Sequence, residues 1–504
     1  MNKSVDKPAE AIVVENIAVE TIAVENITEE FHPAGVGEID LYQKREKIYT
    51  RRIEGFYQRI RVYTGWPLLL GYFLLPWLNW DGRQAVLFDL PSRQFHIFNL
   101  TFWPQDFPLL AWMMIIAAFM LFAVTAWAGR VWCGYTCPQT VWTAIFMWVE
   151  QWCEGSRNQR IKWDNAPWSL EKFARKFSKH ALWGGFALLT GFTFVAYFSP
   201  ARELVVNLAS IDFNALQNLG FNLDWWGLGI WEASWIIFFT LATYINAGWL
   251  REQVCMYMCP YARFQSVMFD QDTLIVSYDY HRGESRGPRK KGVDASEKGL
   301  GDCVDCQICV QVCPTGIDIR DGLQYECINC ALCIDGCNSV MEQMGYEKGL
   351  IRYTTENSLN GQPTNFLRPR LIAYGIAAVI MVAIFFTSII VRVPLKLDVI
   401  RERDRLYVQT TEGYIENIYT LKIINMDQQP HQYKLNFSGL EGAKIIGKNE
   451  VLVIPGEVTE LPIRLRIDPA DLQQVNNTIE FKVQAIDEKG YQAIAESRFI
   501  GPRI

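Results

Sequence analysis

The sequence predicts a multi-domain membrane protein: an α-helical transmembrane bundle, a compact cysteine-rich segment and a C-terminal β-sandwich. Three observations carry that prediction. Five apolar runs have the roughly 20 residues that a bilayer-spanning helix needs. All 13 cysteines fall between Cys133 and Cys337. The final stretch of the chain alternates polar and apolar residues with period two, as half-buried strands do. At 504 residues the chain exceeds one ordinary domain, and a net charge of −6 points to no nucleic-acid partner.

Residues 1–40 read as a disordered tail. Positions 12–30 form a loose repeat (IVVEN, IAVET, IAVEN, ITEE), and Glu15, Glu20 and Glu25 interrupt what a signal peptide would need as an apolar core. A membrane domain follows at 41–270, with expected spans Tyr63–Trp80, Phe107–Ala128, Ala181–Ser199 and Ile230–Trp249. A last span is expected at Leu371–Val391, and Pro67 and Pro76 interrupt the first. Trp and Tyr crowd several span ends, as at a membrane–water interface.

Orientation follows from the basic residues, which favour cytoplasmic loops. Lys44, Arg45, Lys47, Arg51, Arg52, Arg59 and Arg61 precede the first span, and Arg130, Arg157, Arg160, Lys162, Lys172, Arg175, Lys176 and Lys179 follow the second. The loop between spans one and two has only Arg83 and Arg93, and the loop between three and four only Arg202. The N-terminus, the second-to-third loop and the stretch 250–370 are therefore expected inside, and 392–504 outside. That outer segment contains LYVQT, YTLKIIN, YKLNF, EVLVIP, ELPIRLRI, IEFKVQAID and AIAESRF, separated by turn residues such as Asp427, Gly439, Gly456 and Gly490. Roughly seven short strands predict an immunoglobulin-like sandwich. It has no cysteine, so its default role is scaffold or dock.

Residues 303–314 read C-V-D-C-Q-I-C-V-Q-V-C-P and residues 327–338 read C-I-N-C-A-L-C-I-D-G-C-N. Each is C-x-x-C-x-x-C-x-x-x-C. Two-residue gaps let one loop wrap three thiolates round three corners of an iron–sulfur cube, while the fourth cysteine reaches the other cube. One 4Fe-4S cluster should use Cys303, Cys306, Cys309 and Cys337. The other should use Cys327, Cys330, Cys333 and Cys313. Structural zinc pairs two C-x-x-C halves and would leave these complete runs unexplained. Asn338 stands where the first motif has Pro314. The expected ferredoxin-like domain is 301–345, between a basic linker at 271–300 and a second linker at 346–370. Arg282, Arg286, Arg289, Lys290 and Lys291 of the first linker read as a solvated loop near anionic headgroups.

A second repeat lies in the membrane domain: C-G-Y-T-C-P at 133–138 and C-M-Y-M-C-P at 255–260, with Arg130 and Arg251 just upstream. Each follows an outside-to-inside span, so the two read as a duplicated unit. On a helix, cysteines at i and i+4 share one face. Cys133, Cys137, Cys255 and Cys259 could form a thiolate pocket for soft Cu(I), with Met256 and Met258 nearby, or dithiols that cycle to disulfides. The plainer alternative is small buried side chains, and two matching pairs weigh against it. Cys153 reads as a free thiol. The histidines are His32, His96, His180, His281 and His431, none central to a span, so no haem is expected.

At this point the chain resembles the CcoG (RdxA/FixG) family of cytochrome c oxidase accessory proteins. The segments are FDLPSRQFHIFNLTFWPQD at 88–106, VWCGYTCPQTVW at 131–142, the cysteine pair at 255–260, YDYHRGESRG at 278–287 and the double cluster motif. The resemblance implies a multi-pass protein of a bacterial inner membrane, with cytoplasmic clusters and a periplasmic C-terminal domain. It implies reduction of Cu(II) to Cu(I) for assembly of a cbb3-type oxidase, with Cys133, Cys137, Cys255 and Cys259 as the copper or redox pairs. Membrane lipid, copper ions, oxidase assembly factors and an unidentified electron donor are the implied partners. Two other readings stand beside it: a quinol-linked membrane ferredoxin subunit, and a non-enzymatic assembly scaffold.

Overall fold

The computed structural model describes residues 47–209, 228–291, 299–427, 429–472, 474–487 and 490–502. The chain divides into two units, Met1–Lys47 and Ile48–Ile504, and every element below belongs to the second. The expected tail at 1–40 lies outside the described residues.

Helix α1 (Phe56–Leu74) opens at Gly55, which offers no capping side chain. Its free amides are satisfied from far along the chain: the Asp335 carboxylate accepts from the N–H of Tyr57 at 3.2 Å and of Gln58 at 2.8 Å. Proline at position 76 has no N–H to continue the helix, and a 3-10 turn at Leu75–Trp77 replaces it. The expected span Tyr63–Trp80 is thus corrected. The helix starts earlier, and Trp80 belongs to a small hairpin, β1 (Asn79–Trp80) with β2 (Arg83–Gln84). Strands β3 (Val86–Asp89), β4 (Gln94–Ile97) and β5 (Leu100–Phe102) form an antiparallel sheet before helix α2 (Phe107–Ala128).

The rest of the bundle is α3 (Val131–Tyr135), α4 (Pro138–Glu154), α5 (Arg157–Asn165), α6 (Leu170–Val195), α7 (Ala201–Ala209), α8 (Ile230–Thr243) and α9 (Pro260–Met268). Two π-helical turns, Tyr244–Leu250 and Val254–Met258, join α8 to α9. At Gly191 of α6 an added Cβ would lie 2.7 Å from Ile236 O and 2.9 Å from Thr240 N, so glycine lets α6 and α8 pack backbone to backbone. Three described helices are long and apolar enough to cross a membrane: Pro104–Ala128, Ile230–Leu250 and Pro369–Ile390, the last being α14. The other two expected spans, in α1 and α6, belong to helices that begin with charged turns. In α6 those charges are internally matched. Lys176 and Lys179 form ion pairs with Glu154 of α4 at 2.9 Å and 2.8 Å, and outside α6 the buried Glu150 pairs with Arg160 at 3.2 Å and Arg251 at 3.0 Å.

The cysteine-rich segment carries α10 (Tyr280–Gly283), α11 (Ile308–Val312) and α12 (Leu332–Met344). The stretches expected as linkers close it: β6 (Ile275–Tyr278) pairs antiparallel with β7 (Ile351–Thr354), Ile275 opposite Thr354. The basic loop is corrected too. Arg282 bonds Asp302 at 2.5 Å, Arg286 pairs with Asp321 at 3.6 Å, and Arg289 donates to the Tyr346 hydroxyl at 2.8 Å. Of the five, only Lys290 and Lys291 are exposed, and the three arginines are half-buried. A short α13 (Glu356–Leu359) leads to α14.

The C-terminal sandwich has strands β8 (Leu395–Arg401), β9 (Val408–Gln409), β10 (Ile415–Asn425), β11 (His431–Ser438), β12 (Lys444–Ile446), β13 (Glu450–Val453), β14 (Val458–Ile467), β15 (Asn476–Ala485) and β16 (Gln492–Ile500). One sheet runs β12-β14-β10-β8 with β9 on β10, and the other β13-β11-β15-β16. Tyr419, Leu421, Tyr433, Phe481 and Phe499 fill the core between them. Strands β8 and β12 are additions to the seven expected.

Candidate functional site

The two cysteine motifs fold alike. In each loop the second and fourth residues after the first cysteine take left-handed backbone angles without being glycine: Asp305 (φ 50°) and Gln307 (φ 54°), then Asn329 (φ 51°) and Ala331 (φ 59°). Such positions are costly and persist where surroundings enforce them. Here they turn the loop so that three sulfurs face one cavity. Cys303, Cys306, Cys309 and Cys337 line a cavity walled by Tyr278, Val340, Met341 and Ile351. Cys313, Cys327, Cys330 and Cys333 line a second, walled by Val276, Ile319 and Ile328, with Cys309 at its edge.

Among the described residues no three His, Cys, Asp or Glu side chains stand close enough to hold a single metal ion. A cubane keeps its four thiolates apart at separate corners, so this spacing fits a four-iron cluster better than one zinc. Burial pushes the Cys309, Cys327 and Cys337 thiols up to about 12 and Cys333 well above its ordinary value. Metal must therefore displace a proton at each. The donor set and the dry walls fit the cluster group.

The membrane-domain pairs depart from the single-helix expectation. Cys133 sits in α3, but Cys137 is the N-cap of α4, with Pro138 as its first residue. Likewise Cys255 sits in a π turn, and Cys259 caps α9, which begins at Pro260. Proline is well placed at a helix's first position, where its absent N–H is not missed, and it divides each pair between two elements. The N–H groups of Gln139 and Thr140 bond the Cys137 sulfur and oppose the rise that burial imposes on its thiol. Burial pushes Cys133 and Cys255 up to about 12, and the sulfurs of both pairs add to the rise in each. The fold thus brings the four cysteines into one another's electrostatic reach. Cys133 Sγ also donates to Gln265 Oε1 at 3.2 Å, a side chain from α9 of the other half.

The first pair rests on the second cluster cavity. A Cβ added at Gly134 would lie 2.7 Å from Ile328 O, 2.9 Å from the Cys330 Cα and 3.0 Å from Asn329 O. Only glycine allows that approach, and Cys133 packs against the group formed by Ile328, Cys330 and Leu332. Arg61 Nε bonds Gly134 O at 3.1 Å, and the Tyr135 hydroxyl meets the Tyr353 hydroxyl of β7 at 3.1 Å. The Arg130 side chain, 2% exposed, donates to Tyr325 O on the cluster side and Ala262 O on the α9 side. Its charge acts on Cys133, Cys327 and Cys255 together. The second pair differs. Met256 stands where the first pair has glycine, and Tyr257 and Met258 are exposed.

Family comparisons agree with this layout. A 4Fe-4S dicluster domain matches residues 250–356, a 4Fe-4S binding domain matches 110–158, and an IG-like fold at the C-terminal of FixG matches 385–502. The nitrogen fixation protein FixG of Rhizobium meliloti is 36% identical over 494 residues, 90% of this chain and 91% of that protein. The chain belongs to the FixG/RdxA family. Protein RdxB of Cereibacter sphaeroides is 38% identical over 79% of this chain and 83% of its own length, and RdxA of the same organism is 36% identical over 80% and 85%. The crystal structure of a FixG-related protein from Vibrio parahaemolyticus aligns at 38% identity with 21% of this chain and 95% of that one, with a TM-score of 0.20. As a FixG/RdxA member with 4Fe-4S domains and apolar helices, the chain is a membrane iron–sulfur electron-transfer protein.

In this FixG/RdxA chain, Gly134, Tyr135, Gln265 and Tyr353 are site residues that sequence reasoning passed over. Tyr135 and Gly134 had a signal, being inside a quoted motif, but their partners lie about 200 residues on. Cys153, near the end of α4, lies about 24 Å along the helix from Cys137 by the helical rise.

Proposed function

We propose that this protein reduces Cu(II) to Cu(I) at the paired cysteines, with electrons arriving through the cluster segment, and that it serves assembly of a cbb3-type oxidase. The observation that carries the reading is the seat of Cys133 directly on the loop of Cys327 and Cys330, made possible by Gly134. Clusters held by Cys303, Cys306, Cys309 and Cys337, and by Cys313, Cys327, Cys330 and Cys333, supply one-electron chemistry when bound. The chain's own side chains do the rest. Arg130 holds both halves and the cluster loop in register, and helix amides at Cys137 offset part of the rise that burial imposes, easing loss of the thiol proton to soft copper. Each Cu(II) takes one electron and leaves as Cu(I). The exposed Met258 thioether marks the side on which copper enters and leaves.

The same proposal places five spans in a bacterial inner membrane. The N-terminus, the cysteine pairs and the segment 301–345 are cytoplasmic, and 392–504 is periplasmic. Positive-inside bias supports this order, as do the apolar side chains that α1 and α6 expose, such as Trp66, Leu70, Leu188 and Leu189. Replacing Cys133, Cys137, Cys255 and Cys259 by alanine should abolish Cu(II) reduction and leave cluster iron in place. Undiminished reduction would refute the assignment.

One comparison favours a second reading. The 4Fe-4S binding domain match at 110–158 covers Cys133 and Cys137, so the four pair cysteines could ligate a third cluster rather than copper. Iron analysis separates the two, since about eight irons per chain supports copper at the pairs and about twelve supports the third cluster.

A further inference from the structure

A groove beside the first cysteine pair, bordered by Arg61, Tyr135 and Thr140, is not used by the copper reading. Between α1 and α4 it is apolar, lined by Gly65, Trp66, Leu69, Val141, Ile145 and Trp148, with a volume of about 320 Å3. Its other end widens by about 200 Å3 into a polar mouth carrying Arg51, Arg52, Gln58, Arg61 and Gln151, floored by Pro314 and Leu332 of the cluster segment. The two parts share Gln58, Arg61 and Trp148, so they form one slot.

Three guanidinium groups line the mouth, and the residues lining either part include no carboxylate or imidazole. Arg61 is held by its Nε bond to Gly134 O and lines both parts of the slot. Arg52 also meets Glu54 at 3.2 Å, an exposed pair that solvent screens. A basic mouth continuous with an apolar slot matches one kind of occupant. We propose that this groove binds one anionic phospholipid, its phosphate at Arg51, Arg52 and Arg61 and an acyl chain between α1 and α4. A free phosphate would leave the slot uncovered. A quinol oxidised there would need a proton acceptor, and arginine supplies none. The lipid would join the membrane helices to the floor at Pro314 and Leu332, beside the cavity of Cys313 and Cys333. The proposal needs only that α1 lies in the bilayer, and it stands apart from the copper chemistry.

The test uses the full chain purified in mild detergent, with bound lipid identified by native mass spectrometry and iron measured in parallel. One phosphatidylglycerol or cardiolipin should remain per chain. The R51Q/R52Q pair should weaken phosphatidylglycerol binding about 30-fold, roughly five-fold per arginine. Gly65→Leu should abolish retention by filling the slot, and iron should not change in either variant. A Cβ at Gly65 meets Val141 at 3.7 Å, an ordinary contact, so the first atom of the new side chain clashes with nothing, and unchanged iron checks that the fold holds. Added phosphatidylglycerol should displace the bound lipid, whereas phosphatidylcholine and inorganic phosphate should not. Displacement by phosphate alone, equal retention of phosphatidylcholine, or an isoprenoid quinone in the slot would each overturn the proposal.

Discussion

Gly134→Ala isolates the contact on which the proposed electron route depends. The added methyl would sit 2.7 Å from Ile328 O, 2.9 Å from the Cys330 Cα and 3.0 Å from Asn329 O. All three are backbone atoms, so no side chain can swing aside. Forcing a methyl into such a contact costs about 1–3 kcal/mol, while alanine in place of a helical glycine returns about 0.5–1 kcal/mol. At the midpoints of these ranges the difference is about 1.25 kcal/mol, a factor of roughly 8 against the seated arrangement. The assay is anaerobic. Dithionite-reduced protein is mixed with Cu(II), and Cu(I) capture is timed together with cluster reoxidation. Iron content should match the native chain, because no cluster cysteine is altered, and Cu(I) formation should slow. Met256→Ala, at the matching position of the second pair, should leave the rate near native. A native rate in Gly134→Ala would refute the reasoning, because the seat of Cys133 would then be irrelevant to electron flow.

Other consequences follow from the same geometry. Cys303→Ala and Cys327→Ala should each lose about four of eight irons while the double change loses all, measured by iron and sulfide analysis. Arg130→Gln removes a buried positive charge beside Cys327 and Cys133. It should lower the midpoint potential of the cluster nearer the membrane pairs and leave the other unmoved in a potentiometric titration. Asp335→Ala removes the cap on the Tyr57 and Gln58 amides and should cost about 0.5–2 kcal/mol in thermal unfolding. Glu150→Ala strands Arg160 and Arg251 in the interior, and should destabilise the fold by about 3–5 kcal/mol.

The cluster cavities were legible because ligand spacing is a local property: two-residue gaps state which sulfurs can share a cube. The sandwich was legible for a similar reason, since period-two alternation survives in any single strand. What escaped was decided by partners far apart in sequence. Gly134 is one small residue in a motif until Ile328 and Cys330 are placed against it. Asp335 looks like a surface acid of a cluster helix until α1 is found to lack a cap of its own. The basic loop 282–291 read as solvated because its acceptors, Asp302, Asp321 and the Tyr346 hydroxyl, come from other loops. The pair motif misled in a different way. Spacing of four suggested one helical face, but the proline after the second cysteine starts a new helix and leaves that cysteine as its cap. Strand β8 was overlooked because LKLDVIR runs on from the apolar end of α14.

The most direct test of the central claim is an electron count. Full-length protein is reduced under anaerobic conditions, freed of reductant and titrated with Cu(II) while cluster oxidation and Cu(I) are followed together. With one electron stored on each of two clusters, about two Cu(I) should form per chain as the clusters reoxidise. The variant lacking Cys133, Cys137, Cys255 and Cys259 should form none and keep its clusters reduced. Reduced clusters that ignore Cu(II) in the native chain, or that yield Cu(I) equally well without the four cysteines, would contradict the account.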